Sequence, residues 1–166
     1  AVHDAALRVP TAFGGGVFNG GGQVRQLVSL IDLPPTLLDA AGLPVPNEMQ
    51  GRSLVPLLHN RNAQWPDDVF VQVSESQVGR AVRTSRWKYG VVAKDKNGWR
   101  DPDSEVYAEA HLYDLLADPY ELSNLIECES HREVARVMRE RLLRRMNEAG
   151  ETAPQIIEAE CHHCGQ

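Results

Sequence analysis

Val134, Val137, Met138, Leu142 and Met146 recur at three- and four-residue steps, which gathers apolar side chains on one helical face. Ser130 and Glu133 have the spacing of a capping box, and Gly150 suits a helix stop. The pattern predicts a helix over about 131–149. Its other face carries Arg132, Arg136, Arg139, Arg144 and Arg145. That face reads either as an anion-binding surface or as a solvated one paired with Glu133, Glu140 and Glu148.

Upstream the period shortens. Residues 69–73, 79–84 and 87–92 are short runs rich in β-branched and aromatic side chains, broken by Ser, Gly and Gln, and 111–114 makes a fourth. Strands so close in sequence favour an antiparallel meander, because parallel neighbours need a long crossover. Lys94 to Tyr107 is charged and turn-rich and reads as an excursion. In the first part of the chain, Ala6 to Phe13 reads as a buried strand ending in Gly14-Gly15-Gly16. Val28 to Leu43 reads as a short helix. Asp32 is its N-cap, Pro34 and Pro35 fall in the first turn, Leu37, Leu38 and Ala41 form the apolar stripe, and Gly42 is the left-handed stop. The glycine runs at 14–16 and 20–22 lack the spacing of a phosphate cradle and read as surface turns.

Composition narrows the function classes. Seventeen Lys and Arg against 23 Asp and Glu leave a net charge of −6 over 166 residues, which gives no reason to expect nucleic acid or an anionic membrane as partner. No apolar run approaches the ~20 residues of a bilayer span. A chain opening at Ala1 in a strand-like segment, without a basic-then-apolar leader, fits a processed or truncated polypeptide. It leaves the localisation unknown.

Four segments in order resemble one family. They are Leu7-Arg8-Val9-Pro10; the helix Ile31-Asp32-Leu33-Pro34-Pro35-Thr36-Leu37-Leu38-Asp39-Ala40-Ala41-Gly42 with Gln50-Gly51-Arg52-Ser53-Leu54; Arg83-Thr84-Ser85-Arg86-Trp87-Lys88-Tyr89; and Leu112-Tyr113-Asp114-Leu115 running to Asp118-Pro119-Tyr120-Glu121 and Asn124-Leu125. Together they resemble the later part of sulfatases, the alkaline-phosphatase-like sulfate-ester hydrolases. The resemblance implies an α/β fold in two parts. Residues 1–64 would be the C-terminal end of the large alkaline-phosphatase-like domain, and 65–166 a small antiparallel sheet packed on the long C-terminal helix. It also implies hydrolysis of a sulfated small molecule or glycan, with calcium and formylglycine as cofactors. The C-x-P-S-R or S-x-P-S-R signature and the calcium ligands lie upstream of R-V-P in the family and do not occur here. The expected partner is therefore the upstream catalytic part, with subunit contacts in a homo-oligomer also open. This chain would complete the fold and wall the pocket, contributing no catalytic residue and remaining inactive alone.

The resemblance places His3 near the mouth of the sulfate pocket as a substrate-binding residue. The other reading of this stretch is a structural ion pair between Asp4 and Arg8. Outside the resemblance, Cys128-x-x-His131 and Cys161-x-x-Cys164 offer four ligands suited to tetrahedral zinc, with His162 and His163 as substitutes. A disulfide from Cys128 to Cys161 or Cys164, a local redox pair and an unbonded tail compete with zinc. The rival function is a non-catalytic sulfatase-like interaction module stapled by that zinc.

Overall fold

The computed structural model describes residues 2–60 and 62–161. Its elements are α1 (Asp4–Leu7), α2 (Leu33–Ala40), α3 (Val55–His59), β1 (Asp68–Val73), β2 (Val78–Thr84), β3 (Trp87–Ala93), β4 (Val106–Asp114), α4 (Arg132–Glu148) and β5 (Gln155–Ile157). They fall into two compact units, Ala1–Arg8 with Phe70–Gln166, and Val9–Val69.

The larger unit is a five-stranded sheet in the order β1-β2-β3-β4-β5. The expected meander is present: β2 pairs antiparallel with β3 from Val78↔Ala93 to Arg83↔Lys88, and β3 pairs antiparallel with β4. The register slips between Gly90 and Val91. At the far edge the meander ends, because β5 pairs parallel with β4, Val106 against Gln155. A parallel neighbour needs a crossover, and α4 is the helix of that crossover. Alternation along β2 and β3 turns Val78, Val82, Tyr89 and Val91 to one face, where they bury with Leu112 against Ala135, Met138, Leu142 and Met146 of α4.

Two details, the buried stripe of α4 and its cap, differ from the sequence reading. The buried stripe of α4 is Ala135, Met138, Leu142 and Met146, rotated from the predicted one, and Val137 is 41% exposed. Ser130 does not cap the helix. A 3₁₀ turn over Glu129–His131 leads into α4, and the N-cap position falls on His131. Ser130 Oγ instead shares a hydrogen bond with His131 Nδ1 at 3.0 Å. The arginines of α4 are paired: Arg136 with Glu133 and Glu140, Arg145 with Glu148, Arg132 with Glu109 and Glu158, and Arg139 with Glu158.

The buried strand expected over 6–13 is not formed. Residues 4–7 make one helical turn, and residues 8–12 are exposed. A strand needs a neighbour to take its hydrogen bonds, and no described strand pairs with this segment.

The unit of residues 9–69 is built around α2. Gly42 takes φ +71°, and Leu43 N–H donates to Leu38 O at 2.9 Å, closing the helix as a Schellman motif. Asp32 accepts from Ser29 N–H and Arg52 N–H, each at 2.8 Å. Thr36 Oγ1 donates to Asp32 O at 2.6 Å and accepts from Leu54 N–H at 2.9 Å. Ser53 Oγ reaches Asp39 at 2.5 Å. The Gln50–Leu54 segment is thus clamped to α2 residue by residue. Gly51 is required there, since a Cβ would lie 1.9 Å from Ile31 O.

Candidate functional site

In the sheet unit the chain's first residues return to β3 and to the loop after β4. Lys88, on β3, is fully buried. A buried ammonium is tolerated only with opposite charge and satisfied donors. Its Nζ lies 2.5 Å from Asp4 Oδ1 and forms a second, very short contact with Glu121. Arg83, one outward step along the sheet, grips Asp4 with two N–H donors at 3.1 and 2.9 Å. Glu121 Oε2 also accepts the Asp4 backbone N–H at 2.5 Å. Burial alone would raise the Asp4 carboxyl, but hydrogen bonds and charge from Arg83 and Lys88 outweigh it and hold the pKa down from 3.8 to about 2. The anticipated Asp4–Arg8 pair is not formed, because Arg83 and Lys88 already occupy Asp4.

Glu121 sits where the backbone must turn, at φ +57°. Its loop is held by its own carboxylates. Asp114 Oδ1 accepts from Leu116 and Ala117 N–H, and Asp118 Oδ2 accepts from Ser123 N–H at 2.8 Å. Arg86 clasps Asp114, and the hydrogen bond it makes lowers that carboxyl's pKa. Asn124 Oδ1 accepts from Leu112 and Ile126 N–H, while its amide donates to Ala110 O.

This fixed frame positions His3. Its side chain is 43% exposed, with Nδ1 3.7 Å from Glu121 Oε2. Its ring lies 5.5 Å from Tyr113 and 6.3 Å from His111. His111 stacks on Tyr113, and its buried Nδ1 has no hydrogen-bond partner among the described residues. Burial, then the neighbouring His3, pushes the His111 pKa below 6.5. An open groove of about 680 Å³ runs past these groups, lined by His3, Asp4, Arg8, Pro119, Tyr120 and Glu121 among others.

Sequence reasoning named His3 and missed the residues that hold it. Lys88 and Glu121 stood inside quoted family segments, yet only the fold brings them onto Asp4. Among the described residues the zinc set is not assembled. Cys128 is disulfide-bonded, which removes the thiolate a zinc ligand needs, and Cys161 is a free thiol 3.8 Å from Ala159 O. His131 lies edge-on to Trp87 at 6.0 Å. Cys164, with His162 and His163, lies outside the described residues. Among the described residues no group of three or more His, Cys, Asp or Glu could hold a metal ion.

Comparison with known proteins gives the following. The family model described as N-sulphoglucosamine sulphohydrolase, C-terminal, matches residues 1–148. Human arylsulfatase K is 31% identical over 135 residues, covering 75% of this chain and 23% of that protein. The chain thus spans about a quarter of the length of the curated relatives it matches. A protein solved with its substrate D-glucosamine-2-N,6-O-disulfate is 25% identical with a TM-score of 0.61, over 74% of this chain and 24% of that one. The phosphonate monoester hydrolase of Agrobacterium radiobacter is 27% identical with a TM-score of 0.60, over 80% of this chain and 27% of that one.

Proposed function

The chain belongs to the C-terminal family of sulfatases, of alkaline-phosphatase-like fold, and on that premise we propose that it is the C-terminal part of a sulfate-ester hydrolase, completing the fold and supplying one wall of the substrate pocket. One observation carries the reading: the polar residues of the family segments bond to one another across the fold. Lys88 of the Arg83–Tyr89 segment bonds Glu121 of the late segment, and both hold Asp4, the residue after His3. A network so closed leaves its members little freedom to do chemistry. Its effect is to fix the backbone that presents His3 to the groove.

Calcium and formylglycine, implied by the family, do not fit this chain. None of its three cysteines begins a C-x-P-S-R signature, and the described residues offer no metal cluster. No step is routed through either. What this chain offers is the His3 imidazole, which can hydrogen-bond a sulfate oxygen or hold a proton for a leaving oxygen, with Glu121 Oε2 3.7 Å from its Nδ1.

The test uses 4-nitrophenyl sulfate. The 166-residue chain alone should give no turnover above background. A polypeptide that joins it to an upstream segment bearing the nucleophile signature should be active. In that polypeptide His3→Ala should lower kcat/KM about a hundredfold if His3 passes the proton, or about tenfold if it only hydrogen-bonds the sulfate. Activity of the chain alone, tracking its concentration through purification, would refute the assignment. A parallel assay with a phosphonate monoester decides the class of ester.

A further inference from the structure

The charges beside the groove do not balance to its edge. Asp4 and Glu121 are matched by Lys88 and Arg83, so the cluster is neutral as a whole. Arg8 lines the same groove and is exposed, and it has no carboxylate partner among the described residues. Its guanidinium is the surplus charge there. The other arginines of this unit with described ion pairs, including Arg80, Arg83 and Arg86, meet acids.

Tyr120 also lines the groove and is 81% exposed. An aromatic ring left so far in water on a loop is ordinary when the loop moves freely. Here the loop is fixed on both sides of it. Glu121 N–H donates to Asp118 O at 3.1 Å, and the Glu121 carboxylate is tied to Lys88 and to the Asp4 N–H. The backbone that carries the ring is therefore held, in a groove that Arg8 and His3 also line.

We propose that this groove is a saccharide subsite: Tyr120 stacks on the apolar face of a sugar ring, and Arg8 binds a sulfate on that sugar other than the one hydrolysed. A flat aromatic face suits a pyranose, whose axial hydrogens make one side apolar. A guanidinium fork matches a sulfate as it does a phosphate. A volume of about 680 Å³ suits a small saccharide and exceeds what a single sulfate ion fills. The subsite rests on the sulfatase reading only for the identity of the reacting ester, and its binding can be measured apart from turnover.

The test is calorimetric titration of the 166-residue chain with D-glucosamine-2-N,6-O-disulfate, unsulfated glucosamine and inorganic sulfate. The disulfated sugar should bind saturably and more tightly than either of the others. Tyr120→Ala should weaken it about fivefold or more, with Tyr120→Phe restoring it. Arg8→Gln should weaken it about tenfold and erase the preference over unsulfated glucosamine. Both side chains are exposed, so unchanged melting of each variant serves as the folding control. Binding with these losses supports the subsite even if the longer polypeptide turns over no sulfate ester, an outcome that sinks the sulfatase reading alone. No saturable binding to natively melting protein, sulfate alone binding as tightly as the sugar, or both variants binding like the parent would overturn the subsite.

Discussion

The sheet unit and the unit of residues 9–69 reach order by opposite means. In the first, a continuous cluster runs from Val78, Val82 and Tyr89 to Met138, Leu142 and Met146, all nearly or wholly buried. In the second, the described buried side chains are few, and three of them, Asp32, Thr36 and Asp68, are polar. Its order comes from backbone donors of the Gln50–Leu54 segment received by α2. Meanwhile Leu30, Ile31, Leu37 and Leu43 remain more than half exposed. A net hydrogen bond contributes about 0.5–1.5 kcal/mol, whereas fully burying one large apolar side chain contributes ~1.5–3 kcal/mol. The first unit carries its own core, and the second spends its apolar residues on its surface.

The sharpest way to break that contrast is to cut the sheet unit's polar hub. Lys88→Ala leaves Asp4 and Glu121 facing each other without their shared cation. It should cost about 3–5 kcal/mol, read as a large fall in the melting of the sheet unit. A loss below about 1 kcal/mol would mean that Arg83 alone suffices. Next comes Gly51→Ala. The new Cβ meets Ile31 backbone, so the clamp must open, leaving Arg52 N–H and Leu54 N–H unpaired at about 1–3 kcal/mol each if they stay buried. Limited proteolysis should then cut within residues 9–69 while the sheet unit melts as before.

The pH response should sort the hub from its neighbour. His111 has its folded pKa lowered from 6.5, so the unfolded chain binds its proton more readily. That contribution is fully present above pH 6.5 and fades as pH falls below it. Asp4, lowered from 3.8 to about 2, holds its contribution above 3.8 and loses it between 3.8 and 2. Thermal melts of His111→Gln should flatten the first window and leave the second. The smallest expected effect is Leu37→Ser. At 57% exposure it should move the melting temperature little, yet reduce self-association of the chain in sedimentation, since exposed apolar side chains drive association. A strictly monomeric parent at high concentration would show that this surface does not drive self-association.

Legibility in the sequence followed sequence distance. The β2–β4 meander, α2 with its Gly42 stop, and α4 all announce themselves by period and punctuation, and all are local. β5 is three residues long after Pro154, too short to show a period, and is a strand only because α4 delivers it to Val106. The site was half legible. His3 was named through its distance from the Arg8-Val9-Pro10 segment, and Lys88 and Glu121 lay in recognised segments. That Asp4 joins them depends on contacts 79 to 117 residues apart, which no local pattern encodes. The cysteine pairs had zinc-like spacing, but spacing cannot tell a thiolate from one half of a disulfide, and Cys128 is the latter.

That separation of 117 residues between Asp4 and Glu121 also orders events in time. Lys88 and Glu121 are 33 apart, joined through strands that pair with their immediate successors. Closing the longer loop carries the greater entropy cost before any contact repays it. The sheet and its Lys88–Glu121 bond therefore assemble early, and residues 2–8 dock late, on a surface already made. Asp4 is a latch closed after the door. Its loss should leave the refolding rate nearly unchanged and quicken unfolding, so the segment that presents His3 is the first to leave and the last to return.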